Sequence, residues 1–430
     1  MNRFVSWFLN VAYVGLLVIF SPIILYRAVA HGKYRQGFRQ KFLGLVPELP
    51  QLQAPKRRIW FHAVSVGEIN LLRPLLAMIR EERPDWECVV STTSLTGMQL
   101  AKRLYAADHK VFYCPLDFSW AVFTAIRRIR PNMLVLAEQE IWPNLFYAAK
   151  KHGVKLALIN GRFGESGYRR YKRFRLFFRP ILRMLDVIAV QSETYAGWFH
   201  SVGAYGDTIE ITGSMKFDGA QTDRNNPKTV QLANLAGINV DSEIVFLAGS
   251  TQEPEEEYAL DAFEKLKDSW PQLKLILVPR HPERFEAVAN LLESRGVDWM
   301  RRTQLDSQPD KKGKRVLLVD CVGELGAWWG VSKIAFVGGS MGSRGGQNML
   351  EPAAFGAAVS FGPNTKNFRD IVDLLLQNDA AIVVHDSNEM FKFVQKCLEQ
   401  PDFARQLGDR GCELVKRNLG ATKKTLNLLK

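Results

Sequence analysis

Arg58-Ile59-Trp60-Phe61-His62-Ala63-Val64 is a short run rich in β-branched and aromatic residues, and Ser65-Val66-Gly67-Glu68 follows it directly. Between Ile69 and Arg83, Leu72, Leu75, Leu76 and Ile79 recur at helical spacing, so a strand passes into a helix within a few residues. The unit then repeats. Further strands are predicted at Glu87 to Thr93, Lys110 to Cys114, Met133 to Ala137, Lys155 to Asn160 and Val187 to Gln191. Such alternation implies a parallel sheet with helices on both faces.

Downstream, the polar stretch from Thr222 to Lys228 marks a linker, after which the pattern restarts. Strands are predicted at Ile244 to Ala248, Leu273 to Val278, Val316 to Val319, Ile334 to Val337, Val359 to Phe361 and Ala381 to Val384. Two doubly wound, Rossmann-like α/β domains with a cleft between them are therefore expected, over residues 45–220 and 228–430. Ligands of open α/β sheets gather beyond the carboxyl ends of the strands, so the residues just after each strand are the ones to read.

Upstream, Phe4 to Tyr26 is 23 residues without a charge, enough to cross a bilayer. A cleaved signal peptide is the rival reading, but no small-x-small site closes the run, and residues 1–30 are read as a retained anchor. Asn10, Ser21 and Pro22 also allow a helix lying flat in the interface. Arg27, Lys33, Arg35, Arg39 and Lys41 follow before the first acid, Glu48, which predicts a body facing the cytoplasm.

Across 430 residues, 57 Lys+Arg against 44 Asp+Glu give a net charge of +13, and 47% of residues are hydrophobic, which excludes a disordered chain. A second basic cluster, Arg162, Arg169, Arg170, Lys172, Arg173, Arg175, Arg179 and Arg183, is interleaved with Tyr168, Tyr171, Phe174, Phe177, Phe178 and Ile181. It reads either as a solvated helix face or as a surface for anionic lipid. No nucleic-acid-binding motif accompanies the charge, so nucleic acid is not an expected partner. The five cysteines lie far apart and read as reduced, buried thiols; the histidines show no zinc spacing, and no metal site is expected.

Four stretches at strand ends carry chemistry. Glu68, in the first turn of a helix, is either a complement to the helix dipole or a general base, with Gly67 permitting a tight turn before it. Glu138-Gln139-Glu140-Ile141-Trp142-Pro143-Asn144 follows a buried strand; in extended chain Glu138 and Glu140 share a face, with Glu138 nearer the sheet and favoured for substrate contact. Glu140 is expected to cap or brace the loop, and Asn144 to cap a helix. In the second half, Val278 to Arg284 offers Arg280 to a phosphate, with His281 as a neighbour. Gly338-Gly339-Ser340-Met341-Gly342-Ser343-Arg344-Gly345-Gly346 runs into a helix with Glu351 one turn in, where it could accept from a ribose diol; this is neither a Walker loop nor a GxGxxG fingerprint. With Gly249-Ser250-Thr251 as a further candidate, these make a nucleotide site.

Taken in order, Ser65 to Glu68, Glu138 to Asn144, Gly213-Ser214-Met215-Lys216-Phe217-Asp218, Val278 to Arg284 and Gly345 to Glu351 resemble the bacterial Kdo (3-deoxy-D-manno-octulosonic acid) transferases over nearly the whole chain. The resemblance implies an inverting, metal-independent glycosyltransferase of the GT-B fold that needs no cofactor. It would move Kdo from CMP-Kdo to a lipid A precursor at the inner membrane. The first domain would then hold the acceptor and the second CMP-Kdo. By resemblance Glu68 is the proton acceptor, and Glu138 and Lys216 stabilise the transition state. Pro279, Arg280, Val322, Gly323, Glu324, Asn348, Met349, Leu350 and Glu351 bind CMP. The chain departs from the family pattern at Gly161, Gln347 and Met349, where Ala, His and Pro are usual. Another GT-B transferase using a UDP-sugar, or a membrane scaffold without activity, are the competing expectations.

Overall fold

The structure, a computed structural model, describes residues 3–31, 36–305, 307 and 313–430. Lys33 and Arg35, read above as part of the basic flank, lie outside the described residues. The chain divides into two compact units, Met1–Asp218 with Asn418–Lys430, and Gly219–Arg417.

The first unit carries β1 (Arg57–His62), β2 (Trp86–Thr92), β3 (Lys110–Tyr113), β4 (Met133–Ala137), β5 (Lys155–Gly161), β6 (Val187–Val190) and β7 (Ile209–Ile211), ordered β3-β2-β1-β4-β5-β6-β7 with every pairing parallel. The chain order reverses between β1 and β4, where His62 lies opposite Leu136. That switch point sets the loops after β1 and β4 side by side and diverges the helices that follow, opening a crevice above the sheet. The apolar residues of β1 and β4 are buried on both faces, as a parallel sheet sandwiched by helices requires.

The second unit repeats the design with β8 (Ile244–Thr251), β9 (Leu273–Pro279), β10 (Trp299–Arg301), β11 (Val316–Leu318), β12 (Ile334–Val337), β13 (Ala358–Phe361) and β14 (Ile382–Val383). Its order, β10-β11-β9-β8-β12-β13-β14, puts a switch point between β8 and β12. All twelve strands expected from the sequence form. The two unforeseen ones, β7 and β10, are three-residue edge strands, too short to show a period of two.

The sequence reading extended the second domain to residue 430, but the chain from Asn418 onward packs on the first unit. Asp218 accepts the backbone N–H groups of Gly420 (2.6 Å) and Thr422, capping the Ala421–Leu428 helix, while Ala421, Leu426 and Leu429 are buried against the same core as Leu72 and Leu75. All five cysteines are free thiols; Cys88, Cys114 and Cys397 are buried, but Cys321 and Cys412 are only half-buried.

At the N-terminus the Arg3–His31 helix contains a stretch, Ser6–Ile23, long and apolar enough to cross a membrane. Ser6, Asn10 and Tyr13 follow i, i+4, i+7 spacing and share one face. They dock that face on the first unit: Ser6 donates to Asn144 (2.6 Å), Asn10 to Ser119 (2.7 Å) and Tyr13 to Asp117 (3.1 Å). Asn10, one of the polar residues that interrupt the apolar run, is part of its attachment.

Candidate active site

Glu68 sits in the Val66–Glu82 helix, whose N-cap is Ser65. The two form a capping box: the Glu68 N–H donates to Ser65 Oγ (3.2 Å), and Ser65 Oγ donates to Glu68 Oε1 (2.7 Å). Glu68 Oε2 also accepts the Val64 N–H (2.8 Å). The dipole reading is thus realised in full, and only the environment distinguishes this carboxylate from an ordinary cap. It is 8% exposed. Burial raises its pKa above the ordinary carboxylate range against those hydrogen bonds, and the negative charge of Glu138 adds to the rise. Gly67 makes no turn. It lies within the helix at ordinary dihedrals, and a Cβ there would meet only Ser65 Oγ, at an ordinary 3.8 Å.

Glu138 leaves β4 with φ +58, a left-handed turn in place of the expected extended chain. Its side chain does not share a face with that of Glu140, and the two have different partners. Glu138 is gripped by Arg162 (2.9 Å) and Lys216 (2.9 Å), with Asn160 at 3.5 Å. Asn160 in turn accepts the Met215 N–H (3.0 Å), which holds the Lys216 turn against the end of β5. Arg162, read with the basic surface cluster, belongs to this network instead. Glu140 accepts the Trp142 indole N–H (2.7 Å) and braces the loop as expected. Burial pushes the Glu140 carboxyl up to about 7; the indole opposes the rise, and the charges of Glu68 and Glu138 add to it. Three carboxylates that feel one another therefore gather at the switch point of the first sheet.

Asn144 is not a cap. Trp142 holds the N-cap position of the Pro143–Lys151 helix without a side-chain bond, and the first free N–H groups, of Asn144 (3.0 Å) and Leu145 (2.8 Å), are taken by Asp117 from the loop after β3. The sequence offered no sign of this, because Asp117 stands just before another helix and reads as that helix's own cap.

In the second unit, Pro279 ends β9 buried, and Arg280 follows it exposed at the surface. Arg284 is committed elsewhere, to Glu256 (3.1 Å) and Glu253 (3.1 Å). Glu351 accepts from Asn348 (3.0 Å), whose Oδ1 accepts the Leu350 N–H (3.2 Å). Burial raises the Glu351 carboxyl, offset by Asn348 and by the charge of Arg280, which is near enough to act on it. Met349 and Leu350 are buried beneath this pair. Glu324 is held by Arg302 through both oxygens (2.9 and 2.8 Å), so Val322 and Gly323, which are exposed, carry that segment's open surface.

The glycine-rich loop departs from expectation in its first half. The N–H groups of Gly339 (2.7 Å), Ser340 (2.9 Å) and Met341 (2.9 Å) converge on the buried Glu255 carboxylate, which occupies the cradle a phosphate would want. Gly338 is needed for this closure, since a Cβ there would come within 2.6 Å of Thr251 Cα. The helix that follows, Leu350–Ala354, is little more than one turn. The second half of the loop, from Gly345 to Glu351, takes no part in this closure.

Two parallel seven-stranded sheets sandwiched by helices form a fold of the GT-B type. A UDP-GlcNAc 2-epimerase from Neisseria meningitidis, solved with UDP-GlcNAc, shares it with a TM-score of 0.56 at 12% identity, over 86% of this chain and 99% of that one. The family model for 3-deoxy-D-manno-octulosonic-acid transferase (kdotransferase) matches residues 36–219. The 3-deoxy-D-manno-octulosonic acid transferase of Chlamydia muridarum is 31% identical over 95% of this chain and 93% of its own, and that of Haemophilus influenzae 29% identical over 97% of each. The chain belongs to the Kdo transferase family and is a glycosyltransferase.

Proposed function

We propose that the chain transfers Kdo from CMP-Kdo to the phosphorylated glucosamine disaccharide of a lipid A precursor, with inversion, on the cytoplasmic side of the inner membrane. The observation that carries the mechanism is the buried Glu68 carboxylate with its raised proton affinity. As the acceptor oxygen bonds to the anomeric carbon, its proton passes to Glu68, and the bond from that carbon to the CMP phosphate breaks with its electron pair leaving on phosphate. Lys216, oriented by Glu138, supplies positive charge where the transition state needs it. Arg280 receives the phosphate, Glu351 and Asn348 the ribose, and Val322, Gly323 and Glu324 complete the CMP surface, which the buried Pro279, Met349 and Leu350 support from within.

Titration with CMP and UDP tests the donor assignment, and CMP is expected to bind more tightly; the reverse order would replace it with a UDP-sugar. Arg280→Ala and Glu351→Ala should each weaken CMP by about 1.5–3 kcal/mol, the worth of a charge-assisted hydrogen bond. Cytidine, which lacks the phosphate, should lose affinity only with Glu351→Ala.

The body meets the membrane, in this reading, through the Glu165–Arg173 and Arg175–Leu182 helices as well as the N-terminal one. Arg169, Arg170, Lys172 and Arg173 are exposed there beside Phe174, Leu176 and Phe177, with Leu176 89% exposed, while Tyr171 and Phe178 pack on the core. Exposed apolar groups among cations match an anionic bilayer surface better than water. Neutralising those four cations should lower binding to anionic vesicles more than tenfold, leave CMP affinity unchanged, and matter less at high salt. Comparing anionic with neutral vesicles, with the N-terminal helix deleted from both proteins, checks this; equal binding before and after neutralisation would leave the stretch a solvated face.

A further inference from the structure

The face of the N-terminal helix that carries Ser6, Asn10 and Tyr13 continues along the same spacing to Leu17 and Phe20, but there the polar contacts stop. In their place is an open cavity of about 510 Å³. Leu17 and Phe20 line it from the N-terminal helix, Phe118 from the segment after β3, and Ile141 and Trp142 from the loop after β4. Asp117, buried and bonded to Tyr13, Asn144 and Leu145, is also in the lining and ties the N-terminal helix to the start of the Pro143–Lys151 helix. The volume lies within the ordinary range of small-ligand pockets.

Three features indicate the occupant. The lining is apolar except for Asp117, Tyr13, Gln139 and Glu140 and has no Lys or Arg among its described residues, so an anionic ligand finds no counter-charge and a hydrocarbon chain is suited. Part of the lining belongs to a helix long and apolar enough to cross a membrane, and where that helix meets lipid a hydrocarbon chain can reach the cavity along it. Gln139 to Pro143, also in the lining, is the loop that leaves Glu138 and holds Glu140, on which the charge of Glu68 acts. A chain lying in the cavity therefore has its polar end beside the carboxylate cluster. We propose that this cavity holds an acyl chain of the lipid acceptor, so that one hydrocarbon chain positions the sugar hydroxyl at Glu68. The inference rests on the transferase reading for the nature of the acceptor, and it is distinct from attachment of the protein to bulk lipid.

The test uses the full chain in lipid nanodiscs and a phosphorylated, acylated glucosamine disaccharide with photoreactive acyl chains. Irradiation should label the peptide containing Ile141 and Trp142. Unlabelled acylated disaccharide should compete for that label at least tenfold better than the same disaccharide stripped of its chains. Leu17→Trp, which fills the cavity from the helix, should cut labelling of that peptide at least fivefold and leave CMP binding as it was. Labelling confined to the N-terminal helix, equal competition by the stripped disaccharide, or labelling of the Ile141 peptide undiminished in Leu17→Trp would each overturn the proposal. Turnover of the unlabelled acceptor by the unaltered protein reports separately on the transferase reading: labelling without turnover would keep the cavity and discard the reaction, and turnover without labelling the reverse.

Discussion

Glu68→Gln is expected to fold as the unaltered protein does and to turn over roughly 10²- to 10⁴-fold more slowly, the usual worth of a general base. The substitution separates two roles that coincide in one side chain. A glutamine can accept the Val64 N–H through its one Oε and donate its Nε2–H to Ser65 Oγ, which still accepts the backbone N–H of residue 68, so the cap and the start of the Val66–Glu82 helix survive. What it cannot do is take a proton. The pH dependence follows from the raised carboxyl: in the unaltered protein turnover should rise with pH through a limb above the ordinary carboxylate range, because Glu68 works only when ionised. Stability should move the other way. Between the ordinary and the raised pKa the folded state binds the proton more readily than the unfolded chain, so this group favours folding more as pH falls through that window. A folded Glu68→Gln protein with near-normal turnover would leave Glu68 only its capping role.

How much of this was legible in the sequence depended on whether a residue acts locally. The twelve expected strands declare themselves by apolar composition, and the carboxylates by their place after β1 and β4. The topology then explains why those two loops are neighbours although Glu68 and Glu138 are far apart in the chain. Long-range partners were illegible. Asp117 looks like a cap for the helix beginning at Ser119 but serves the one beginning at Pro143, and Glu255 looks like the first of three acids favouring a helix N-terminus but fills the glycine-rich loop. Arg162 was grouped with surface cations because seven others follow it, whereas β5 delivers it to Glu138. In each case the side chain satisfies a group that only the packed sheet brings within reach. Lys216 came from resemblance alone, as nothing in a solitary lysine after a three-residue strand marks it as paired.

Glu138→Ala should be the most destabilising single change at the site and should also cut turnover at least a hundredfold. The carboxylate is 8% exposed and neutralises two cations that approach it from different elements, Arg162 at the end of β5 and Lys216 after β7. Removing one member of a buried ion pair leaves the other charge uncompensated, which costs about 3–5 kcal/mol when fully buried. Arg162 and Lys216 retain about a quarter of their exposure, 24% and 23%, so water recovers part of this and about 2–3 kcal/mol is expected. The left-handed backbone at Glu138 sharpens the test, because alanine tolerates that conformation no better than glutamate and adds nothing to offset the loss. If the penalty comes from unpaired charge, deleting a cation as well must return some of it. Glu138→Ala with Lys216→Ala should then be less destabilised than the sum of the two single changes, by about 1–2 kcal/mol. Turnover should not recover with it, since the double variant lacks both the positive charge and the group that aims it. Urea unfolding of the four proteins in this cycle measures the coupling. Strict additivity would mean that Lys216 is held by its other contacts, and that Glu138 does its work on the substrate directly.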